Sequence, residues 1–353
     1  MEVQDPERRR PVNPNRFHRR FVLLALIAGV AAAVAAGLAF AKTRSTPVGT
    51  GVVVIDTKLA YEHGRAAGTG MVLTSSGEVL TNNHVIRGAT SIRIVVPRTG
   101  RSYTAKVVGY DVSDDVALLQ ARAASNLKTV SLGSSAPVKV GQSVKAVGNA
   151  GGTGSLVSAS GIVTGLRRTI AVSDDQGGSE SLAGLIETNA ALRAGDSGGP
   201  LLNAAGKVVG MDTAASASGG FQQSASTDGY AIPIDRALTI AKRIKTGKGS
   251  TSIHMGSTGF LGVEVMPLQE AGPYAGDSGA VIAGVFAGGP ASAAGLVAGD
   301  TITVFGGRVV SSPSALPALL LTKKPGARVA VTYVDATGAG HSTTVTLASG
   351  PPQ

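Results

Sequence analysis

Cysteine and tryptophan are both absent from this 353-residue chain. Without a thiol there is no disulfide scaffold, no Cys-ligated zinc, no iron–sulfur cluster and no Cys nucleophile, so covalent catalysis would fall to Ser, Thr, Lys or a carboxylate. Charged residues are scarce at 15%, well under the usual quarter, yet the balance is +10. Aromatics make up only 4% and no Lys/Arg cluster occurs outside residues 1–20, which argues against a nucleic-acid partner. Proline is limited to 16 residues and the 49 glycines do not recur every third position, so collagen and a Pro-rich stalk are excluded. What remains, 43% hydrophobic content over this length, suffices for about two domains with their own cores.

The basic excess is unevenly placed. Residues 1–20 hold six arginines against Glu2, Asp5 and Glu7, a net +3, and residues 42–353 carry the other +7. Between them, residues 21–41 contain no charge and, at 1.5 Å per residue, are long enough to cross the ~30 Å hydrocarbon core. The arginines before this segment outweigh Lys42 and Arg44 after it, so a basic cytoplasmic arm (1–20) and an exported remainder are expected. The segment reads either as a retained single-pass membrane anchor or as a signal peptide cut after Ala39-Phe40-Ala41, which would release a secreted protein.

After a linker at 42–50, four- to seven-residue apolar runs alternate with Gly, Asn, Asp and Ser: GVVVI, GTGMVLT, SIRIVV, DVALLQ, SVKAVG, KVVGMDT and others. They read as strands of a mainly β domain over 51–246. That domain closes with an amphipathic helix, IDRALTIAKRIK, after Pro233. The Gly/Ser/Lys-rich stretch 247–258 reads as a second linker. Residues 259–349 then form a smaller α+β domain, with helices at GPASAAGL and PSALPALLLTK, and GPPQ reads as a loose tail.

The hexapeptide Gly195-Asp196-Ser197-Gly198-Gly199-Pro200 carries the strongest chemical signal; chance would produce it on the order of 10⁻⁴ times in such a chain. Flanking glycines permit positive φ and leave the hydroxyl uncrowded, while the Gly195 and Ser197 N–H groups can converge on an oxyanion. Such a serine needs a base and an orienting carboxylate. Of the five histidines, His18 lies in the basic arm, His63 in a polar turn, His254 in the second linker and His341 in a late hairpin. His84, at the end of the strand GEVLTN, is the candidate, although TNNHVI alone suits a structural histidine equally well. Asp115 opens the apolar strand DVALLQ, where a buried carboxylate needs a partner, whereas Asp111 and Asp114 read as solvated turn residues. The order His84, Asp115, Ser197 is that of chymotrypsin-type proteases.

TNNHVI, YDVSDDVALLQ, IETNAALRAGDSGGPLLN and GYAIPID together resemble the successive signatures of the HtrA (Deg) family of exported serine proteases, and FLGV with GGPASAAGLVAGDTITVFGG resembles their PDZ domain. The layout is similar to that of exported PDZ-containing proteases of mycobacteria and related actinobacteria. The resemblance implies a chymotrypsin-like pair of six-stranded β-barrels followed by an α+β PDZ domain. The triad would lie between the barrels: His84 and Asp115 from the first, Ser197 from the second. It further implies an oxyanion hole at Gly195-Asp196-Ser197 and no metal or organic cofactor. Ala191 would stand at the base of the substrate pocket, favouring small or medium aliphatic side chains, and Thr213 would border the cleft. Phe260, Leu261, Gly262 and Val263 would bind the C-terminal carboxylate of a peptide.

The implied partners are unfolded proteins and peptides, C-terminal peptides at the PDZ domain, the membrane through residues 21–41, and a homo-trimer, since family members are often trimers. One departure stands out: many members have Asn before the nucleophile, and this chain has Asp196. In trypsin-like zymogens that Asp pairs with a new N-terminus; here Arg193 is a candidate partner, or a solvated loop residue. A peptide-binding, chaperone-like protein with latent proteolysis is the alternative function.

Overall fold

The structure, a computed structural model, describes residues 49–59, 64–173, 179–213, 228–247, 252–266 and 279–352. The basic arm, the apolar segment 21–41, most of the first linker, His18 and His63 lie outside these residues. Among the described residues no helix is long and apolar enough to cross a membrane.

The first barrel comprises β1 (Val52–Leu59), β2 (Gly64–Val72), β3 (Glu78–Thr81), β4 (Ser91–Val96), β5 (Arg101–Asp111) and β6 (Val116–Ala121). These run in the order β5-β4-β1-β2-β3-β6, and pairing of β5 with β6 closes the ring. A one-turn helix α1 (Asn83–Ile86) follows β3. The second barrel is built from β7 (Ser143–Gly148), β8 (Val157–Ser173), β9 (Ser179–Thr188), β10 (Pro200–Asn203), β11 (Val208–Thr213) and β12 (Gly229–Pro233), closed in the order β10-β11-β12-β9-β8-β7. The expected double six-stranded barrel is therefore present.

The continuous apolar runs have a structural reason. Successive side chains of a strand point to opposite faces, and in β1 both faces are covered. Val53 and Ile55 fill the interior of the first barrel. Val52 and Val54 belong instead to a cluster shared with Leu185, Val208, Met211 and Ile232 of the second. In β6, Ala117 and Leu119 point inward while Val116 and Leu118 join the shared cluster. Helix α2 (Ile234–Lys245) caps that cluster with Ile234, Ala237, Ile240, Ala241 and Ile244, one face at helical spacing. Asp235 in its first turn and Lys242, Arg243 and Lys245 in its last complement the helix dipole.

Within the stretch read as a linker, β13 (Ile253–Met255) adds to the edge of β5, pairing His254 with Tyr110. Three residues between glycines carry no readable period, which is why the sequence alone suggests no strand here. The last domain has β14 (Thr258–Phe260), β15 (Val263–Val265), β16 (Ala280–Val285), helix α3 (Pro290–Ala293), β17 (Thr301–Phe305), β18 (Arg308–Val309), helix α4 (Ala315–Leu321), β19 (Arg328–Val334), β20 (Gly340–Thr346) and β21 (Ala348–Gly350). Its main sheet runs β15-β16-β17-β19-β20, with β18 on β17, while β14 and β21 form a separate pair. Both helices fall where expected and bury Ala291, Leu316 and Leu320. The tail is not loose. Gly350 pairs with Thr258, the Thr258 hydroxyl donates to Pro351 O, and Gly88 N–H donates to Pro352 O at 2.8 Å. Proline offers only a carbonyl, and here donors from two other elements satisfy those carbonyls.

Candidate active site

Strand β3 delivers His84 into α1 rather than to a bare strand end. The neighbours Asn83, Val85 and Ile86 are buried and anchor the turn, while the His84 side chain remains 41% exposed. Close approach of this turn requires Gly68 in β2, where a Cβ would stand 2.6 Å from Val85 Cγ1. Asp115 sits at the β5–β6 turn with φ +51°, a conformation uncommon for a residue with a Cβ. Asn82 Nδ2 donates to its carbonyl at 2.9 Å. Asp111, read as solvated, is buried and accepts from Asp114 N–H and the Ser252 hydroxyl. Asp114 is ion-paired with Arg236.

The Asp115 carboxylate grips His84 twice. Oδ1 accepts the His84 backbone N–H at 2.9 Å, and Oδ2 lies 2.8 Å from Nδ1. A proton on Nδ1 is thereby fixed and Nε2 is left as the basic nitrogen. From the second barrel, the buried Thr213 hydroxyl donates to the same Oδ2 at 3.3 Å. Thr213 thus supports the carboxylate as well as bordering the site. Partial desolvation of the His84 ring between the barrels disfavours its charged form, but the Asp115 charge and hydrogen bond outweigh it and the opposing Arg87, so its pKa is raised above the ordinary 6.5.

The Ser197 loop is threaded between the barrels. Gly195 (φ +96°) and Gly198 (φ +83°) take positive φ, and a Cβ there would meet Asn149 O at 2.2 Å and Thr69 O at 2.1 Å. No other residue fits either place. Thr69 of β2 binds the loop on both sides of Asp196: its N–H donates to Ser197 O at 2.9 Å and its hydroxyl to Gly195 O at 2.7 Å. Gly151 N–H holds Ala194 O at 2.7 Å. In a trans amide the carbonyl and N–H point in opposite directions, so this bond aims the Gly195 N–H away from Gly151. Asp196 N–H donates to Arg193 O at 3.0 Å and is therefore already engaged. Asp196 Oδ2 accepts the Arg193 backbone N–H at 2.9 Å, whereas the Arg193 side chain is exposed and forms no ion pair among the described residues.

The remaining expected residues are less uniformly placed. Ala191 is exposed, not enclosed at a pocket floor. In the last domain Leu261 is 1% exposed and belongs to the core, so it does not line an open pocket. Phe260 packs against Phe286, with ring centroids 5.9 Å apart. The Leu261 and Gly262 carbonyls are taken by Ala291 and Phe286 N–H groups, which turns the amides of Gly262 and Val263 to the opposite side. A polar concavity of about 870 Å³ opens elsewhere, between β4–β5 and residues 349–352, and contains none of these groups. Sequence reasoning missed Thr69, Asn82 and Asp212. Of these only Asp212 left a signal, a carboxylate inside the apolar strand KVVGMDT.

The trypsin-like peptidase domain model matches residues 68–211 and the PDZ domain model matches residues 259–336. The chain is 35% identical over 309 residues to serine protease PepD of Mycobacterium tuberculosis, covering 84% of this chain and 63% of that protein. It is 36% identical over 265 residues to the periplasmic pH-dependent serine endoprotease DegQ of Escherichia coli, covering 74% and 55% respectively. It accounts for little more than half of these relatives' length. A solved structure of the HtrA-type protease AlgW with tripeptide matches at 31% identity with a TM-score of 0.48, covering 87% of this chain and 96% of that one. On the two domains in this order and the identity to these proteases, the chain belongs to the HtrA/Deg family of trypsin-like serine proteases carrying a PDZ domain.

Proposed function

We propose that this chain is an exported serine endopeptidase that cleaves unfolded or misfolded envelope proteins through His84, Asp115 and Ser197, and that residues 259–349 bind C-terminal peptides. The observation that carries the reading is the double hold of Asp115 on His84, which leaves Nε2 as a base. As Ser197 Oγ attacks the scissile carbonyl, its proton passes to His84 Nε2, and Asp115 stabilises the imidazolium. The negative charge that develops on the carbonyl oxygen is met by the N–H groups of Gly195 and Ser197. Collapse breaks the C–N bond as His84 returns the proton to the leaving amine, leaving an ester on Ser197. Water, deprotonated by His84, then attacks that ester, the acid product departs and Ser197 regains its proton.

The engaged Asp196 N–H removes that residue from the donors, so two amides carry the oxyanion. The preference for small or medium aliphatic side chains before the cut rests on family resemblance at Ala191, an exposed residue. The Gly262 and Val263 amides, turned away from the domain's own acceptors, suit a peptide carboxylate. Residues 21–41 serve as a membrane anchor or as a signal peptide removed near Ala41, and a homo-trimer is the assembly this reading favours.

Hydrolysis of unfolded casein by the native protein and by Ser197→Ala tests the proposal. Loss of hydrolysis with peptide binding retained supports both assignments; equal degradation by the two proteins refutes the nucleophile.

A further inference from the structure

Asp196 and Asp212 bring two carboxyl groups into one buried region behind the Ser197 loop, and the reaction uses neither. Asp196 is 4% exposed and Asp212 is fully buried. Three of their four carboxyl oxygens, Asp196 Oδ1 and both of Asp212, have no hydrogen-bond partner among the described residues. The main chain ties both residues to one turn: Gly198 N–H donates to Asp212 O at 2.8 Å, Asp212 N–H to Gly199 O at 2.7 Å and Gly199 N–H to Asp196 O at 2.9 Å. The region has no slack, since a Cβ on Gly148 would stand 2.5 Å from Asp196 Oδ1.

Buried carboxylates need a counter-charge or a proton. Among the described residues no cationic side chain is ion-paired with either carboxylate, and the charge of Arg193 offsets the burial of Asp196 only in part. On the Ser197 loop, Arg193 offers its backbone N–H while its side chain is exposed. Strand β7 ends in Gly148, and β2 and β3 present the neutral Thr69 and Thr81. Strands β10 and β12 flank Asp212 with Gly199, Pro200 and Ala231. Helix α2 turns apolar residues toward the barrels, and its charged Asp235 and Arg236 are engaged with Ser134, Ser135 and Asp114. Among the described residues, His84 and Asp115 connect to Asp212 through the adjacent Thr213.

We propose that Asp212 keeps its carboxyl proton while Asp196 is ionised, and that this proton keeps the Gly195–Gly199 loop in place around Ser197. When it is lost, two like charges lie in the same buried region and the loop yields. Burial pushes Asp196 up to about 6, and burial together with the Asp196 charge holds Asp212 well above the usual carboxylate range. On this proposal the pair carries one charge at neutral pH, on Asp196, whose Oδ2 accepts the Arg193 N–H. The two residues are positioning residues: one precedes the nucleophile, and the other precedes the threonine that supports Asp115.

The link to activity rests on the protease reading above; the proton on Asp212 does not. Two measurements separate them. In the full-length Ser197→Ala protein, infrared spectroscopy at pH 7.5 should show a protonated carboxylic acid that disappears in Asp212→Asn. In the active protein, kcat/KM for a peptide substrate should fall at alkaline pH, and Asp212→Asn should move that fall upward by about one pH unit or more. Asp196→Asn also prevents the double charge and should relax the same limb, so it serves if Asp212→Asn does not fold. Absence of the protonated acid, or an alkaline limb unmoved in both variants, overturns the proposal. A native protein inactive at every pH refutes the protease reading instead, and the infrared band still decides the pair.

Discussion

Replacing Asp196 by Asn should stabilise the protein increasingly as the pH rises. Asn keeps an oxygen to accept the Arg193 N–H and removes the charge. The Asp196 pKa is raised by burial from 3.8 to about 6 in the folded chain, with the Arg193 N–H and its positive charge only partly opposing the rise. A rise of this size, roughly two decades in proton affinity, corresponds to about 3 kcal/mol. The sign follows from which state holds the proton. Below about pH 4 folded and unfolded chains both carry it, and the residue contributes nothing to pH dependence. Between about 4 and 6 the unfolded chain ionises while the folded one does not, so stability falls with rising pH. Above about 6 both are ionised and the full cost of a buried charge is present.

The difference in unfolding free energy between Asp196→Asn and the native residue should therefore grow by about 3 kcal/mol from pH 4 to pH 7.5 and then level off. For a folded unit of this size that is a change of roughly 5–10 °C in Tm. Urea and thermal unfolding, both on a Ser197→Ala background to prevent self-digestion, would measure it. Ionisable groups that do not feel the Asp196 charge cancel in the difference; Asp212, which does, is controlled by repeating the comparison in Asp212→Asn. A difference flat with pH, or one favouring the native Asp as pH rises, would refute the reasoning.

Thr213→Val removes the hydroxyl that donates to Asp115 Oδ2 and keeps the shape of the side chain. A charge-assisted bond of about 1.5 kcal/mol corresponds to roughly a tenfold fall in kcat/KM with little change in Tm, and an unchanged kcat/KM removes Thr213 from the support of Asp115. Gly198→Ala places a Cβ 2.1 Å from Thr69 O and 2.3 Å from Thr81 Oγ1 at φ +83°. It should lower Tm sharply and abolish most activity, whereas Gly206→Ala, at φ +71° with nothing within 4 Å, should cost only about 1–2 kcal/mol; equal effects would contradict the close approach.

Much of the fold was legible because the strands are apolar on both faces. GVVVI and DVALLQ read as buried strands, and the shared cluster of Val52, Val54, Val116 and Leu118 explains why neither alternates. Helix α2 was legible from its 3.6-residue period. Short or long-range features were not. Helix α1 has four residues, too few for a period, so His84 was expected at a strand end. Strand β13 has three, and its identity as a strand comes from β5. The hold on Pro352 O depends on Gly88, remote in sequence. At the site, residue types and their order singled out Ser197, His84 and Asp115, whereas Thr69 looked like any strand threonine. Its role lies in two bonds to a loop more than 120 residues away.

That division between legible and hidden residues reflects two kinds of force. The barrels are joined by apolar surface, whose burial is favourable but non-directional; the shared cluster lowers the free energy of contact without setting an angle. Direction comes from a few polar contacts across the same boundary. Thr69 of the first barrel takes Asn149 N–H at 2.9 Å and gives its own N–H and hydroxyl to the Ser197 loop of the second. Thr213 of the second returns a hydrogen bond to Asp115 of the first. Hydrogen bonds weaken steeply with misalignment, so these contacts tolerate little rotation between the barrels. The register between His84 and the Ser197 loop is thus carried by two threonines and two left-handed glycines, while the hydrophobic cluster supplies the stability that holds them at that register.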